Sequence, residues 1–283
     1  MLIDCHVHLN NYDESRERST EDMAQDLFNA MAANGVAHAV VLTSYRVNAH
    51  RPHVERVLEV VGDDPRITVV EGLRWRGDGE RTDPYKLEER IRTGRVRGIK
   101  LYPGYDRYPI NDPSLEGFFR LAAKYDVPVM VHTGDTYSKQ AKVRQAHPLL
   151  LDDVAVDFPD VKLVMCHLGN PWFLDAAEVL YKNENVFADI SGLTLGDFTA
   201  DFERNTLDRM RDMIQYMGDP GRQLMFGTDW SLSGMKSYIK FFNDLDLTDE
   251  QREAIAWKTA ARLFKIDVTR LPDAPGALVK PDA

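Results

Sequence analysis

The sequence predicts a single-domain α/β fold, a (β/α)₈ barrel of the TIM-barrel type. Eight apolar runs of strand length alternate with segments of helical periodicity, and no low-complexity linker divides the 283 residues. Strands that alternate with helices form a parallel sheet, and right-handed crossovers can close eight such strands into a barrel. We expect the barrel to span residues 1–266 and a proline-containing C-terminal tail to span residues 267–283.

The predicted strands are short runs rich in Val, Ile, Leu and Met, as is typical of parallel strands that are buried on both faces. They are expected at residues 2–8, 37–43, 67–73, 96–102, 127–133, 161–167, 185–190 and 223–229. The first three predicted helices, at 20–34, 52–61 and 84–93, are each followed by glycine, which commonly ends a helix. Asp112 is a candidate N-cap for the fourth helix, and the later helices are expected at 148–156, 171–181, 201–217, 237–243 and 249–264.

The net charge, the cysteines and the length of the apolar runs limit the classes of function that this chain can have. A formal net charge of −10 argues against a nonspecific nucleic-acid binder, because such binding depends on basic surface. An anionic substrate would therefore need a local basic patch. The two cysteines, Cys5 and Cys166, lie within apolar runs and not in a spaced disulfide framework, which favours a reducing, cytoplasmic compartment. No apolar run reaches the ~18 residues of a membrane span, and a homo-oligomer is left open.

The first strand carries an unusual polar face. Alternation along a strand points Asp4, His6 and His8 to the same side, where two imidazoles can bind one metal ion. A bound cation would give these buried polar groups a partner. An edge strand with solvated histidines is the alternative explanation for these residues alone.

Three other strand-like runs also end on a side chain that can bind metal or transfer a proton. These residues are His132, His167 and Asp229. The carboxyl ends of all barrel strands meet at one rim, so these residues converge with His6 and His8 although they are distant in sequence. The sequence therefore predicts a metal site at this rim. The remaining histidines, His38, His50, His53 and His147, are expected to be structural or surface residues.

These motifs together resemble the amidohydrolase superfamily, and most of all the amidohydrolase-related branch that includes aminocarboxymuconate semialdehyde decarboxylase. They are His6-Val7-His8, Gly98-Ile99-Lys100-Leu101, Val131-His132-Thr133-Gly134, Met165-Cys166-His167-Leu168-Gly169 and Phe226-Gly227-Thr228-Asp229-Trp230. The resemblance implies that His6, His8, His132 and Asp229 bind one divalent ion. It also implies that Asp229 handles the proton of the nucleophilic water and that His167 transfers a proton or polarises the substrate.

Lys100 has two possible roles under this resemblance. In binuclear members of the superfamily, a carboxylated lysine at the end of the fourth strand bridges two metal ions. Without carboxylation, Lys100 is a barrel lysine that can pair with a substrate anion or with a carboxylate such as Asp4. We favour the second role. We expect one ion, with zinc as the first candidate and manganese, iron or cobalt also compatible with imidazole and carboxylate ligands.

The resemblance leads to two enzymatic hypotheses. The first is hydrolysis of a small carboxylate-bearing ester, lactone or amide by a metal-activated water, which ions of this kind generate near neutral pH. The alternative is decarboxylation or hydration of a small unsaturated or aromatic carboxylic acid. A noncatalytic barrel that keeps the ion as a structural element is a third interpretation, disfavoured by the position of the ligands at the catalytic rim.

Candidate substrate contacts follow the strand ends. They are Arg46, Arg74, Trp172 and Trp230. Arginine can hold a substrate carboxylate through two parallel hydrogen bonds, whereas the tryptophans can line an apolar pocket. Tyr102 and Tyr105 also follow a predicted strand and could line the same pocket. Solvated loop charges and simple loop packing are the alternative explanations for these residues.

Overall fold

The computed structural model describes residues 1–76 and 81–271, and it confirms the predicted barrel. Eight parallel strands follow one another in a single sheet in chain order, and each pairs with the next. The strands are β1 Ile3–Val7, β2 His38–Leu42, β3 Ile67–Gly72, β4 Ile99–Leu101, β5 Val129–His132, β6 Leu163–Cys166, β7 Val186–Asp189 and β8 Leu224–Met225.

Ten α-helical segments surround the strands or follow them in the described residues. They are α1 Thr20–Asn34, α2 Val54–Val61, α3 Pro84–Arg92, α4 Glu116–Tyr125, α5 Leu149–Asp157, α6 Phe173–Lys182, α7 Ala200–Met217, α8 Met235–Asn243, α9 Asp249–Glu253 and α10 Thr259–Phe264. A π-helical turn, Ala254–Lys258, joins α9 to α10. Short 3₁₀ turns are formed by Pro113–Leu115, Val143–Ala146, His167–Gly169, Pro220–Arg222 and Val268–Arg270.

Helix α1 begins and ends where the sequence predicts. Ser19 and Asp22 form a capping box at its start, and Gly35 adopts φ 66° after its end, a conformation that favours glycine. Helix α2 begins two residues later than predicted, at Val54 and not at Pro52, because the His53 side chain accepts a hydrogen bond from the Glu55 backbone N–H. Local capping chemistry therefore sets the helix boundaries.

Strand β8 is much shorter than the predicted 223–229, since regular pairing ends at Met225. Beyond it, Asp229 adopts φ 64°, so the chain turns over the end of β1 instead of continuing as a strand. Hydrogen bonds still join this segment to β1. Cys5 donates its backbone N–H to the Phe226 carbonyl at 2.9 Å, and Asp229 donates to the His6 carbonyl at 2.8 Å. These bonds close the barrel and carry Asp229 to the rim.

The barrel interior is apolar at one end and polar at the other. Ile3, Val40 and Met225 form part of an interior cluster that Leu263 and Phe264 of α10 cover. The C-terminal strand ends instead carry buried polar groups, among them His6, Lys100 and Asp189. The larger apolar core lies between the sheet and the surrounding helices. The apolar end stabilises the fold, and the polar end is where a ligand can be held.

Within the described part of the chain, no helix combines the length and the apolar character that crossing a bilayer requires.

The predicted C-terminal tail is described only in part. Its residues 268–270 form a 3₁₀ turn, whereas residues 272–283 lie outside the described ranges. The proposed domain boundary at residue 266 therefore stays a prediction.

Candidate active site

His6 lies at the centre of the polar end of the barrel and is fully buried. Its Nδ1 atom lies 2.8 Å from Asp189 Oδ2. Its Nε2 atom is buried without a hydrogen-bond partner among the described residues. Burial, and next the charge of Lys100, lower the pKa of His6 to about 3, so the imidazole is neutral near pH 7. A neutral imidazole whose Nδ1 donates to a carboxylate has a free electron pair on Nε2.

Asp229 and His8 lie beside this free nitrogen. Asp229 Oδ1 is 3.7 Å from His6 Nε2 and 3.2 Å from His8 Nε2. The same oxygen is buried and makes no hydrogen bond within the described ranges. Burial raises the pKa of Asp229, but the close contact with His8 and the nearby imidazoles outweigh this effect and hold the pKa well below its ordinary value. Asp229 is therefore a carboxylate that faces two histidine nitrogens.

The outer nitrogen of each predicted histidine ligand is held by an acceptor. His8 Nδ1 lies 2.7 Å from the Leu42 carbonyl oxygen, and His132 Nε2 lies 2.9 Å from the Asp135 carbonyl oxygen. Together with the contact between His6 and Asp189, these contacts mean that each of the three imidazoles has one ring nitrogen held by an oxygen acceptor. Histidines that bind metal nearly always have this arrangement, because the outer hydrogen bond sets the tautomer and the ring orientation.

His167 lies beside both His6 and His132. The ring centroid of His167 is 4.9 Å from that of His6 and 5.1 Å from that of His132. The potential ligand atoms of His6, His8 and Asp229 all lie within 4.8 Å of one another, and His132 is not part of this compact group. The structure thus brings all five predicted residues to one rim. The roles assigned to them remain predictions.

A divalent ion fits this set of residues. Two ligand atoms bound tetrahedrally to one ion at ~2.0–2.1 Å are about 3.3 Å apart, close to the separation between His8 Nε2 and Asp229 Oδ1. The partnerless Nε2 of His6 and Oδ1 of Asp229 would each gain a partner. Buried polar atoms without partners are costly, so their occurrence side by side points to a cation between them.

Asp189 is a site residue that sequence reasoning missed. It is the last residue of β7 and is fully buried, and it contacts His6 as well as the backbone N–H of His167. A signal was present, because β7 is also an apolar run that ends on a carboxylate. The criterion that selects His132, His167 and Asp229 at their strand ends selects Asp189 when it is applied to β7.

Lys100 does not pair with Asp4. Its Nζ atom lies 2.8 Å from Cys166 Sγ, and both side chains are buried. Asp4 instead accepts hydrogen bonds from the Thr228 hydroxyl and from the backbone N–H groups of Thr228 and His6. The suggested pairing is therefore wrong, since Asp4 is fully used in joining β1 to the segment after β8. Whether Lys100 is carboxylated stays a prediction.

The four predicted substrate contacts occupy different environments. Arg46 is exposed on the loop after β2, whereas the Arg74 guanidinium lies 2.6 Å from His53 Nε2 beside the start of α2. Trp172 packs against His147, with ring centroids 4.6 Å apart. Trp230 lines a rim cavity of about 180 Å³. Of the four, Trp230 directly follows Asp229 in the chain. Contact with a substrate remains a prediction for all of them.

Aromatic rings form a wall beside His132. Tyr105 lies 4.8 Å from His132 between ring centroids, and Tyr45 lies 4.9 Å from Tyr102 and 6.2 Å from Tyr105. The Tyr102 hydroxyl donates to the Thr43 carbonyl at 2.7 Å, which fixes that ring. The positions of Tyr102 and Tyr105 after β4 predict a place near a pocket, whereas nothing in the sequence singles out Tyr45. Planar apolar surface next to the imidazoles suits a flat substrate.

A comparison with protein families decides the assignment. The model of the amidohydrolase family matches residues 3–266, nearly the whole chain. The chain belongs to the amidohydrolase family. It is an enzyme with the amidohydrolase fold, and enzymes of this family use a divalent metal ion, for which the His/Asp group described above is a candidate site. The resemblance inferred from the motifs is thereby confirmed.

Individual relatives are distant. A gamma-resorcylate decarboxylase from Rhodococcus jostii (strain RHA1) is 23% identical over 194 residues, which cover 55% of this chain and 55% of the relative. A second gamma-resorcylate decarboxylase, from Polaromonas sp. (strain JS666 / ATCC BAA-500), is 22% identical and matches over 54% of its length. The chain thus spans about half the length of the curated relatives that it matches.

Solved structures of the same fold cover far more of this amidohydrolase. An uncharacterized TIM-barrel protein from Bordetella bronchiseptica has a TM-score of 0.73 at 20% identity, covering 93% of this chain and 98% of that protein. A probable 2-pyrone-4,6-dicarboxylic acid hydrolase from Acinetobacter baumannii, with citric acid bound, has a TM-score of 0.65 at 16% identity and coverage of 93% and 99%. A dihydroxybenzoic acid decarboxylase from Polaromonas sp. JS666, with manganese and 2-nitroresorcinol bound, has a TM-score of 0.62 at 14% identity and coverage of 93% and 96%.

Proposed function

We propose that this amidohydrolase is a metal-dependent decarboxylase of a small aromatic or unsaturated carboxylic acid. The observation that carries the proposal is the position of His167, whose ring lies 4.9 Å from that of His6 and 5.1 Å from that of His132, while Tyr105 packs against the same His132 ring. A proton-transferring imidazole at this position would lie beside two of the proposed metal ligands and one residue away from the tyrosine wall. The names of the curated relatives support the same reaction class.

His6, His8, His132 and Asp229 would hold the ion. When bound, a divalent ion supplies a Lewis acid that binds and orients anionic oxygens of the substrate. Zinc is the first candidate, and manganese is the second because the decarboxylase from Polaromonas contains it. Carboxylate and imidazole ligands suit both ions, so the donor set does not choose between them.

The chain's own residues supply the remaining chemistry. The tyrosine wall would hold the substrate ring flat beside His132. His167 would then deliver a proton to the carbon that bears the carboxylate. The bond between that carbon and the carboxylate breaks, its electron pair returns to the unsaturated system, and carbon dioxide leaves. A proton from water restores His167, so the reaction consumes one proton for each carbon dioxide released.

The proposal is tested with chelator-free protein loaded with zinc or manganese. We expect such protein to release carbon dioxide from at least one member of a panel of hydroxybenzoates and short unsaturated diacids. In deuterated water, one deuterium should appear on the carbon that carried the carboxylate. His167→Gln should lower kcat about 10²–10⁴-fold, the usual contribution of a general acid. Absence of carbon dioxide release across the panel with the metal site filled would contradict the proposal.

Hydrolysis is the second candidate, because Asp229 is a buried carboxylate beside His6 and His8 and would accept a proton from a water bound at the same site. A lactone of an unsaturated acid would place its ring against the same tyrosine wall. Ring opening with uptake of one water and without carbon dioxide release would identify this reaction. The activity named for the relative from Acinetobacter baumannii motivates lactones as the first hydrolytic substrates to test.

Three lesser proposals accompany the reaction. The substrate would be a small anion and not a nucleic acid. The compartment would be the cytoplasm, in keeping with two buried free cysteines. Assembly into a homo-oligomer stays a prediction, which sedimentation analysis of the purified chain would test.

A further inference from the structure

One carboxylate contacts both the central histidine and the proton-transferring histidine. Asp189 Oδ2 lies 2.8 Å from His6 Nδ1. Its other oxygen, Oδ1, accepts the backbone N–H of His167 at 3.0 Å and that of Ser191 at 3.1 Å. All four residues are buried. Asp189 therefore holds the His6 side chain and the His167 backbone in a fixed relation.

The Ser191 hydroxyl extends this arrangement to the His167 ring. Ser191 Oγ lies 2.5 Å from Asp189 Oδ1, 3.0 Å from His6 Nδ1 and 2.9 Å from His167 Nδ1. A hydroxyl has a single proton, and the charged carboxylate of Asp189 is a stronger acceptor for it than either neutral imidazole. The serine oxygen can then only accept from His167, so the proton between them belongs to Nδ1 of that imidazole.

The backbone at Gly192 and His167 leaves little room around the His167 ring. Gly192 adopts φ 60°, and a Cβ atom there would overlap His167 Nδ1. His167 itself adopts φ 64°, which is uncommon for a residue with a side chain. The loop after β7 is therefore built to admit the His167 ring against Ser191.

We propose that Asp189 and Ser191 are positioning residues that keep His6 and His167 in the tautomer with the proton on Nδ1. His6 then keeps Nε2 free for the ion, and His167 keeps Nε2 free to take up from water the proton that it then delivers to the substrate carbon. The part that concerns His167 in catalysis rests on the proposed function. The part that concerns tautomers and metal affinity is independent of the proposed function, and it can be tested without measuring turnover.

The direct test is nitrogen NMR of ¹⁵N-histidine-labelled, metal-free protein, with resonances assigned by single-histidine variants. We expect wild-type His6 and His167 to be neutral with the proton on Nδ1. In Ser191→Ala, His167 should shift toward the tautomer protonated on Nε2, while His6 is unchanged. Wild-type His167 with its proton on Nε2 would overturn the proposal, and this wild-type measurement decides even if Ser191→Ala does not fold.

Metal affinity and kinetics separate positioning from a structural role. Asp189→Asn should weaken metal binding about 10–100-fold, the usual effect of losing an outer hydrogen-bond partner of a ligand. Ser191→Ala should bind metal normally and lower kcat about 10-fold or more at unchanged KM. Ser233→Ala is the matched control, since its buried hydroxyl donates only to the Thr194 carbonyl.

The outcomes are distinct. If Ser191→Ala matches Ser233→Ala in both tautomer and kcat, or if Asp189→Asn binds metal as tightly as wild type, the positioning role is wrong. If no carboxylic acid is turned over but the tautomers and the metal affinities change as expected, the positioning role stands and the proposed decarboxylation fails.

Discussion

Asp4 and Thr228 join the two ends of the barrel sheet. Asp4 Oδ2 accepts the Thr228 hydroxyl at 2.6 Å, and Asp4 Oδ1 accepts the Thr228 backbone N–H at 3.0 Å. The carboxylate is fully buried, and it also accepts the His6 backbone N–H at 3.2 Å. This pair therefore holds β1, with His6 and His8, against the segment that carries Asp229.

Asp4→Ala should destabilise the metal-free protein by about 3 kcal/mol, because it leaves buried donors without an acceptor. Thr228→Val, which removes only the hydroxyl, should cost about 1 kcal/mol. Urea denaturation followed by circular dichroism measures both free energies of unfolding. Equal values for the two variants would show that the backbone donors find other partners.

His6→Ala should lose the bound metal. Protein purified without chelator should contain about one equivalent of divalent ion by elemental mass spectrometry, as expected for a mononuclear catalytic site. His147→Ala is the matched control, because His147 lies beside Trp172 and Asp175 and outside the ligand group. Two equivalents in wild type would instead support a carboxylated Lys100 and a binuclear site.

Asp229→Asn should abolish turnover while the fold is kept. The substitution removes the negative charge between His6 and His8, so we expect kcat to fall at least about 10²-fold even at saturating metal. Near-ultraviolet circular dichroism should match that of wild type. Activity within a few-fold of wild type would exclude Asp229 from both the hydrolytic and the decarboxylating mechanisms.

Gly192→Ala and Gly196→Ala should have different effects although both glycines adopt positive φ. At Gly192 a methyl group would displace His167, so we expect loss of activity as well as of stability. At Gly196 a Cβ would meet no atom of the described residues within 4 Å, so only the backbone strain of about 1–2 kcal/mol should appear. Thermal unfolding and kcat are measured for both variants. Retained activity in Gly192→Ala would show that His167 need not occupy this position.

His38 should make the protein less stable in mild acid. Burial is the main reason that its pKa falls from 6.5 to about 4. Between these pH values the unfolded chain binds a proton that the folded protein does not, so the free energy of unfolding should decrease as the pH falls. The loss should total about 3 kcal/mol from this residue.

His38→Gln tests this contribution, since glutamine has no proton to bind in this range and can keep the contact to the Thr68 hydroxyl. Between pH 7 and pH 4, the free energy of unfolding should fall more for the wild type than for His38→Gln. Parallel profiles for the two proteins would assign the acid sensitivity to other buried histidines.

Patterns in the sequence predict the barrel and five residues of its polar rim. Apolar runs of strand length that alternate with helical segments favour a parallel sheet, which eight such units can close into a barrel. Because all carboxyl ends meet at one rim, the positions of His6, His8, His132, His167 and Asp229 at strand ends are enough to group them. The predicted bounds of helix α1 match the structure, since helical periodicity and the glycine after its end are local signals.

The polar groups that hold the site residues in place cannot be read from the sequence. The contacts of Asp189 with His6, of Ser191 with His167 and of Lys100 with Cys166 join distant strands, and their distances depend on barrel register and curvature. The early end of β8 also depends on contacts between distant parts of the chain, because hydrogen bonds to β1, and not local propensity, fix the turn at Asp229. Hydrophobic periodicity encodes which face of a strand is buried, whereas hydrogen-bond partners across the barrel are set by three-dimensional packing.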